Sequence, residues 1–120
     1  MSDQAAPSTD AAAVVLEMWD KRMRAALRPL LTKKIIGEHR RDPTGHHSDT
    51  LKRVLNYFRR SPGLPPYVIV CTRPFREWRV ARLSGVRGIP PTFVDERKFS
   101  SEAKAMHAVF LLRVDELTRD

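Results

Sequence analysis

The sequence predicts an α+β fold: N-terminal helices, a three-stranded antiparallel β-meander and a C-terminal helix packed on it. Apolar residues recur at spacings of three and four before residue 60 and again after residue 100, which is the period of an amphipathic helix. Between them lie short runs rich in β-branched and aromatic residues, bounded by Pro and Gly, as strands and turns require. With 120 residues the chain has room for one small domain, since domains run to roughly 100–200 residues each. The expected division is a disordered lead over 1–9 and a single domain over 10–120, helical from 10 to 60, with the meander and last helix over 66–118.

Residues 1–10 are small and polar around Pro7 and end in Thr9 and Asp10, either of which can cap a helix. Val15, Trp19, Met23, Ala26 and Leu30 then follow helical spacing, with Leu16, Leu27, Leu31 and Ile35 widening the stripe. Pro29 has no amide proton and crowds the preceding turn, so it should kink this helix near Ala26 to Arg28 or begin a second one. Gly37 reads as a stop, and Glu38 to His47 as a polar loop turned by Asp42-Pro43 and Gly45. Ser48 or Asp49 can cap the next helix, which carries Leu51, Val54, Leu55 and Phe58 on one stripe and Tyr57 beside it, ending at Ser61-Pro62-Gly63.

Tyr67 to Thr72 is too short and too β-branched for a helix and reads as a buried strand. Trp78 to Leu83 is a second strand, reached through Arg73-Pro74-Phe75-Arg76, and Phe93 to Asp95 a shorter third. Ser100 or Ser101 caps a last helix to about Thr118, with Met106, Phe110, Val114 and Leu117 on one stripe and Ala105 and Val109 alongside. Three strands need that helix to cover one face.

Twenty-two Lys and Arg against 14 Asp and Glu give a net charge of +8, and the charge is unevenly placed. Residues 1–20 hold four acids and no base, residues 21–41 eight bases against Glu38, and residues 50–98 eleven bases against three acids. A basic middle suits either nucleic acid or a large acidic protein partner. The single Cys71 cannot close an intramolecular disulfide, which points to the reducing cytoplasm. No run approaches the roughly 18 apolar residues of a membrane span, and the acidic start is unlike an export signal.

The sequence carries no recognisable catalytic constellation. His39, His46 and His47 are close in sequence but lack Cys-rich spacing or an HExxH, so a solvated loop is the better reading than a metal site. His107 lies between apolar neighbours and reads as a structural hydrogen-bonding group, and Cys71 as a small buried hydrophobe. Gly85 and Gly88 precede no helix start and form no phosphate loop. The nucleic-acid reading rests on Arg73, Arg76, Arg79, Arg82 and Arg87 around Phe75 and Trp78; its counterpart is a solvated sheet face with Trp78 in the core.

Leu51 to Arg60 (LKRVLNYFRR), Tyr67-Val68-Ile69, Trp78-Arg79-Val80-Ala81 and Glu102 to Arg113 (EAKAMHAVFLLR) resemble the small subunit of N,N-dimethylformamidase. The blocks RVLNYFR and AMHAVFL are the most telling, and the resemblance covers about residues 44–118 in order. It implies an amidohydrolase that splits dimethylformamide into dimethylamine and formate, built from small and much larger subunits, two of each or a multiple of that. It also implies a mononuclear iron in the large subunit, held by tyrosine and carboxylate side chains. No position here matches those ligands, so no catalytic, cofactor-binding or metal residue is carried over, and a non-catalytic subunit is expected. Its partner contacts are expected at exposed large side chains of the first helix, Trp19, Met23 and Leu27, with Arg73, Arg76 and Arg79 adding charge. A small nucleic-acid-binding domain and a self-sufficient enzyme are the competing readings.

Overall fold

A computed structural model describes residues 5–60 and 66–119, the first six of these as backbone only. The order is α1 (Ala5–Leu27), a one-turn 3-10 helix (Arg28–Leu30), α2 (Lys33–Arg41), α3 (Asp49–Arg60), β1 (Tyr67–Arg73), β2 (Glu77–Arg82), β3 (Thr92–Phe93) and α4 (Glu102–Thr118). This is the expected α+β architecture, with the strands in the order β1-β2-β3 and both pairings antiparallel.

Helix α1 already runs through Thr9 and Asp10, so neither is its cap. At Pro29 the helix breaks rather than kinks. The 3-10 turn follows, Thr32 N–H reaches back to the Leu30 carbonyl (2.9 Å), and α2 starts afresh with the Thr32 hydroxyl accepting from Ile35 N–H (3.5 Å). The missing proline donor and its ring leave no way to continue the ladder.

Helix α2 runs through Gly37 and Glu38, where a stop and a loop were expected. Ile35 and His39, one turn apart, are both buried, with half-buried Ile36 beside them. That burial outweighs the roughly 1 kcal/mol that a mid-helix glycine costs. The true loop spans residues 42–48, tied by the Glu38 carboxylate, which accepts from Ser48 N–H (2.6 Å) and the Ser48 hydroxyl (2.7 Å). The Ser48 hydroxyl in turn accepts from Leu51 N–H (3.3 Å) and so caps α3, as expected of it. The expected α3 terminator at Ser61-Pro62-Gly63 lies outside the described residues.

Strand β1 pairs with β2 in a register that sets Ile69 opposite Val80 and Cys71 opposite Trp78, with an irregularity between Cys71 and Arg73. It is half-buried from Tyr67 to Val70 and exposed from Cys71 onward, not buried throughout. Only one sheet face meets α4. The third strand is two residues long, at Thr92–Phe93, and pairing resumes at Phe99, which exchanges backbone hydrogen bonds with Trp78 (2.8 and 2.9 Å).

The core has two parts. Leu27, Ile35, Leu51, Val54, Tyr57, Phe58, Phe110 and Leu117 form one among the helices. Val80, Ala105 and Ala108 form the other beneath the sheet, ringed by half-buried side chains including Ile69, Trp78 and Leu112. Helix α4 belongs to both. Phe110 and Leu117 point to the helices, while Ala105 and Ala108, on the opposite side, bring its backbone close to the sheet.

The radius of gyration is 17.2 Å and the extents are 58 × 38 × 24 Å, whereas a compact domain of this length has a radius of about 13.6 Å. The excess comes with the first half of α1, whose side chains from Ala11 to Trp19 are all exposed.

Candidate subunit interface

That exposed half reads Ala-Ala-Ala-Val-Val-Leu-Glu-Met-Trp over residues 11–19, with Glu17 its one charge. At 100° per residue Val14 and Met18 share one direction, Val15 and Trp19 a second, and Leu16 a third. Val15 is 64% exposed, Leu16 58% and Trp19 45%. A solvated helix shows one apolar stripe, and a helix apolar on most sides is one that other protein covers. Here nothing among the described residues does so.

The body of the domain first meets α1 one residue later, where the Tyr57 hydroxyl donates to Asp20 (2.6 Å). Met23 is half-buried against the first core cluster, and Leu27 lies inside it at 2% exposure. Leu27 is therefore a core residue, contrary to its expected place among exposed contacts. Trp19, Met23 and Leu27 form one helical stripe that passes from open surface into the core. Periodicity gives the stripe but not the point at which the body begins. A shallow groove of ≈ 270 Å³ runs beside it, floored by Trp19, Met23 and Tyr57 and edged by Arg53 and Arg60 of α3.

Several of the basic residues serve the fold. Arg24 Nη2 donates to the Glu116 carbonyl (3.1 Å) and Arg28 Nε to the Leu117 carbonyl (2.9 Å). These carbonyls lie in the last turn of α4, where the ladder leaves acceptors without a helical donor and the dipole favours cations. Arg79 lies over the Phe93 ring at 3.7 Å and donates to the Asp95 carbonyl (2.7 Å), so it is bound within the sheet rather than held out for a partner. Arg73 and Arg76 are exposed at the β1–β2 turn. Trp78 packs into the second core cluster and offers no stacking platform.

His39, expected on a solvated loop, is buried in α2 with its ring stacked on Phe110 (centroids 4.1 Å, interplanar 12°). Its Nδ1 lies 2.8 Å from Nδ1 of His107, so the hydrogen bond expected at His107 is made across the fold to α2 and is not the local one anticipated. Burial first, then the neighbouring His107 and His47, lower the His39 pKa to about 4, and burial followed by Arg40 lowers that of His107. His46 is exposed, and His47 Nε2 lies 2.8 Å from the Asp42 carbonyl. Among the described residues no three His, Cys, Asp or Glu side chains gather as a metal site. Cys71 is exposed rather than a buried hydrophobe, because it stands where β1 leaves the cover of α4.

Near α4's C-terminal end the Tyr67 hydroxyl donates to Glu116, and Arg113 sits over the Tyr67 ring at 5.3 Å. Burial, aided by that carboxylate, pushes the phenol up to about 12. It is a fixed donor in any ordinary buffer. Among the described residues no helix is long and apolar enough to cross a membrane.

A small α+β body with a bare apolar helical arm is the architecture of a chain that sits against another protein. A family model for the N,N-dimethylformamidase alpha subunit matches residues 14–120. The N,N-dimethylformamidase alpha subunit of Paracoccus aminophilus is 35% identical over 109 residues, spanning 87% of this chain and 76% of that one. The N,N-dimethylformamidase alpha subunit of Alcaligenes sp is 38% identical over 106 residues, spanning 82% and 77%. The chain belongs to the N,N-dimethylformamidase alpha subunit family, a name that implies an enzyme of more than one kind of subunit. The match begins at Val14, so it takes in the apolar arm as well as the span from about residue 44 on which the resemblance was first legible.

Proposed function

We propose that this chain is the non-catalytic small subunit of an amide hydrolase of the N,N-dimethylformamidase type, and that it stabilises and assembles a larger catalytic subunit. The reaction of the complex is hydrolysis of dimethylformamide to dimethylamine and formate. In this reading the complex holds two small and two large chains, or a multiple of that, and its mononuclear iron belongs to the large one. Such an iron supplies Lewis acidity toward the amide carbonyl and activates water. No step of the reaction is assigned to residues of this chain. A lone exposed thiol suits the reducing cytoplasm.

The observation that carries the reading is the arm. Val14, Val15, Leu16, Met18 and Trp19 are exposed around most of a helix, and burying such side chains is worth roughly 1.5–3 kcal/mol each. Association that covers them stabilises both partners by mass action.

The test is to purify the tagged chain from its native source, identify stoichiometric companions by mass and assay the eluate for dimethylformamide hydrolysis. A large iron-containing companion with amidase activity is the expected result. Recovery of the chain alone, or with nucleic acid and no amidase activity, would overturn the proposal. Amide hydrolysis by the purified chain alone would overturn its non-catalytic part.

A further inference from the structure

We propose that the β1–β2 turn is a plug, in which Phe75, flanked by Arg73 and Arg76, enters an apolar pocket with an acidic rim on the partner subunit. This rests on the subunit reading above and names a second contact, separate in sequence from the α1 arm.

The turn is closed by Arg76 N–H donating to the Arg73 carbonyl (3.0 Å). Pro74 suits its second position, where φ near −65° is needed. The third position has φ 61° and is occupied by Phe75, the one non-glycine with positive φ among the described residues. Glycine or asparagine enters that region with little steric conflict, whereas a bulky aromatic there is uncommon.

The fold gains nothing in return. Phe75 is 92% exposed and lies outside both core clusters. A turn that would form more readily with Gly or Asn thus carries a large apolar ring held fully in water. Such a residue makes physical sense when its ring is buried elsewhere.

The tip is also firmly mounted. Below it the Thr72 hydroxyl donates to the Glu77 carboxylate (2.6 Å), and Cys71 Sγ lies 3.4 Å from the Arg73 carbonyl. That hydroxyl holds Glu77 below the usual carboxylate range, so the acid stays ionised and bound across the base of the turn. A preorganised projection loses less freedom on docking than a floppy one.

Charge selects the occupant. Arg73 and Arg76 are exposed on either side of the ring. A second copy of a chain with net charge +8 would bring two more guanidiniums to the same point, which opposes self-association. Single-stranded nucleic acid is held by successive bases stacked on several aromatics, yet Trp78 is turned into the core. An acid-rimmed pocket on a different protein chain fits both the ring and its flanks.

The experiment uses the complex of small and large subunits. Phe75→Asn keeps a residue that tolerates the turn and removes the ring. It should weaken subunit association about thirtyfold while leaving the melting temperature of the small chain unchanged or raised. Arg73→Gln with Arg76→Gln should weaken association and flatten its dependence on salt. If the wild-type complex assembles and hydrolyses amide but Phe75→Asn associates equally well, this proposal falls and the subunit reading stands. A lowered melting temperature for Phe75→Asn would also overturn it, since the ring would then serve the fold, as would a loss confined to oligonucleotide binding. Absence of any wild-type complex overturns both proposals.

Discussion

Between His39 and His107 there is room for one proton. Their Nδ1 atoms are 2.8 Å apart, so one ring must donate and the other accept. His107 Nε2 is buried with no hydrogen-bond partner, and an orphaned acceptor is tolerated better than an orphaned N–H. The proton therefore sits on His107 Nδ1, with His39 Nδ1 as acceptor, and nitrogen NMR shifts should report that tautomer. The pair also sets a pH window. His39 titrates at about 4 in the fold against 6.5 ordinarily, so below about pH 6.5 the unfolded chain takes up a proton that the native chain refuses. Stability should fall as pH drops from about 6.5 to about 4 and be insensitive to this group above that range. His39→Asn keeps a polar group near the Nδ1 position and does not titrate; melting temperatures across the window should be flatter for that variant. The burial of His39 was partly legible, since Ile35 and His39 are one turn apart, but Gly37 masked it. A glycine's preference is a local cost of about 1 kcal/mol, and the packing that exceeds it depends on α4, nearly seventy residues away.

At the scale of elements, α3, the first two strands and α4 were legible because each carries its period in its own residues. The third strand was expected at Phe93 to Asp95, one residue late at its start and two at its end, because two residues pair before the chain turns at Asp95, whose carboxylate accepts from Arg97 N–H (2.9 Å). What sequence could not show is the use of Arg24 and Arg28 at the end of α4, a contact between residues about ninety positions apart. The charge change after residue 20 had suggested outside partners, and part of it is spent inside the fold. Arg28→Ala removes a part-buried bond to the Leu117 carbonyl and should cost about 1–2 kcal/mol in denaturant unfolding. A loss under 0.5 kcal/mol, in the range of about ±0.5 kcal/mol usual for surface substitutions, would mean that water serves that carbonyl equally well.

At the scale of the molecule, the radius of gyration of 17.2 Å records a chain that holds an apolar helix away from its own core. Its helical character was evident from spacing and exposure was expected at Trp19, Met23 and Leu27, but the point at which the stripe enters the core was not evident, because an uncovered apolar stripe and a core stripe look alike in sequence. On the subunit reading, Trp19→Ala should weaken association with the large subunit by about 2 kcal/mol and leave the unfolding midpoint of the small chain nearly unchanged. An unfolded variant would instead make Trp19 part of the core.

Helix α4 joins the two core clusters, and it is also the last described element to be made. During synthesis Leu51, Val54 and Phe58 emerge some fifty residues ahead of Phe110, a wait of roughly 3–10 s at 5–20 residues per second. The sheet's cluster waits likewise for Ala105 and Ala108. Neither half of the nascent chain can complete its core before α4 leaves the ribosome. The arm of α1 is exposed throughout, so on the subunit reading a partner already present at the ribosome would meet this helix before the rest of the domain had folded.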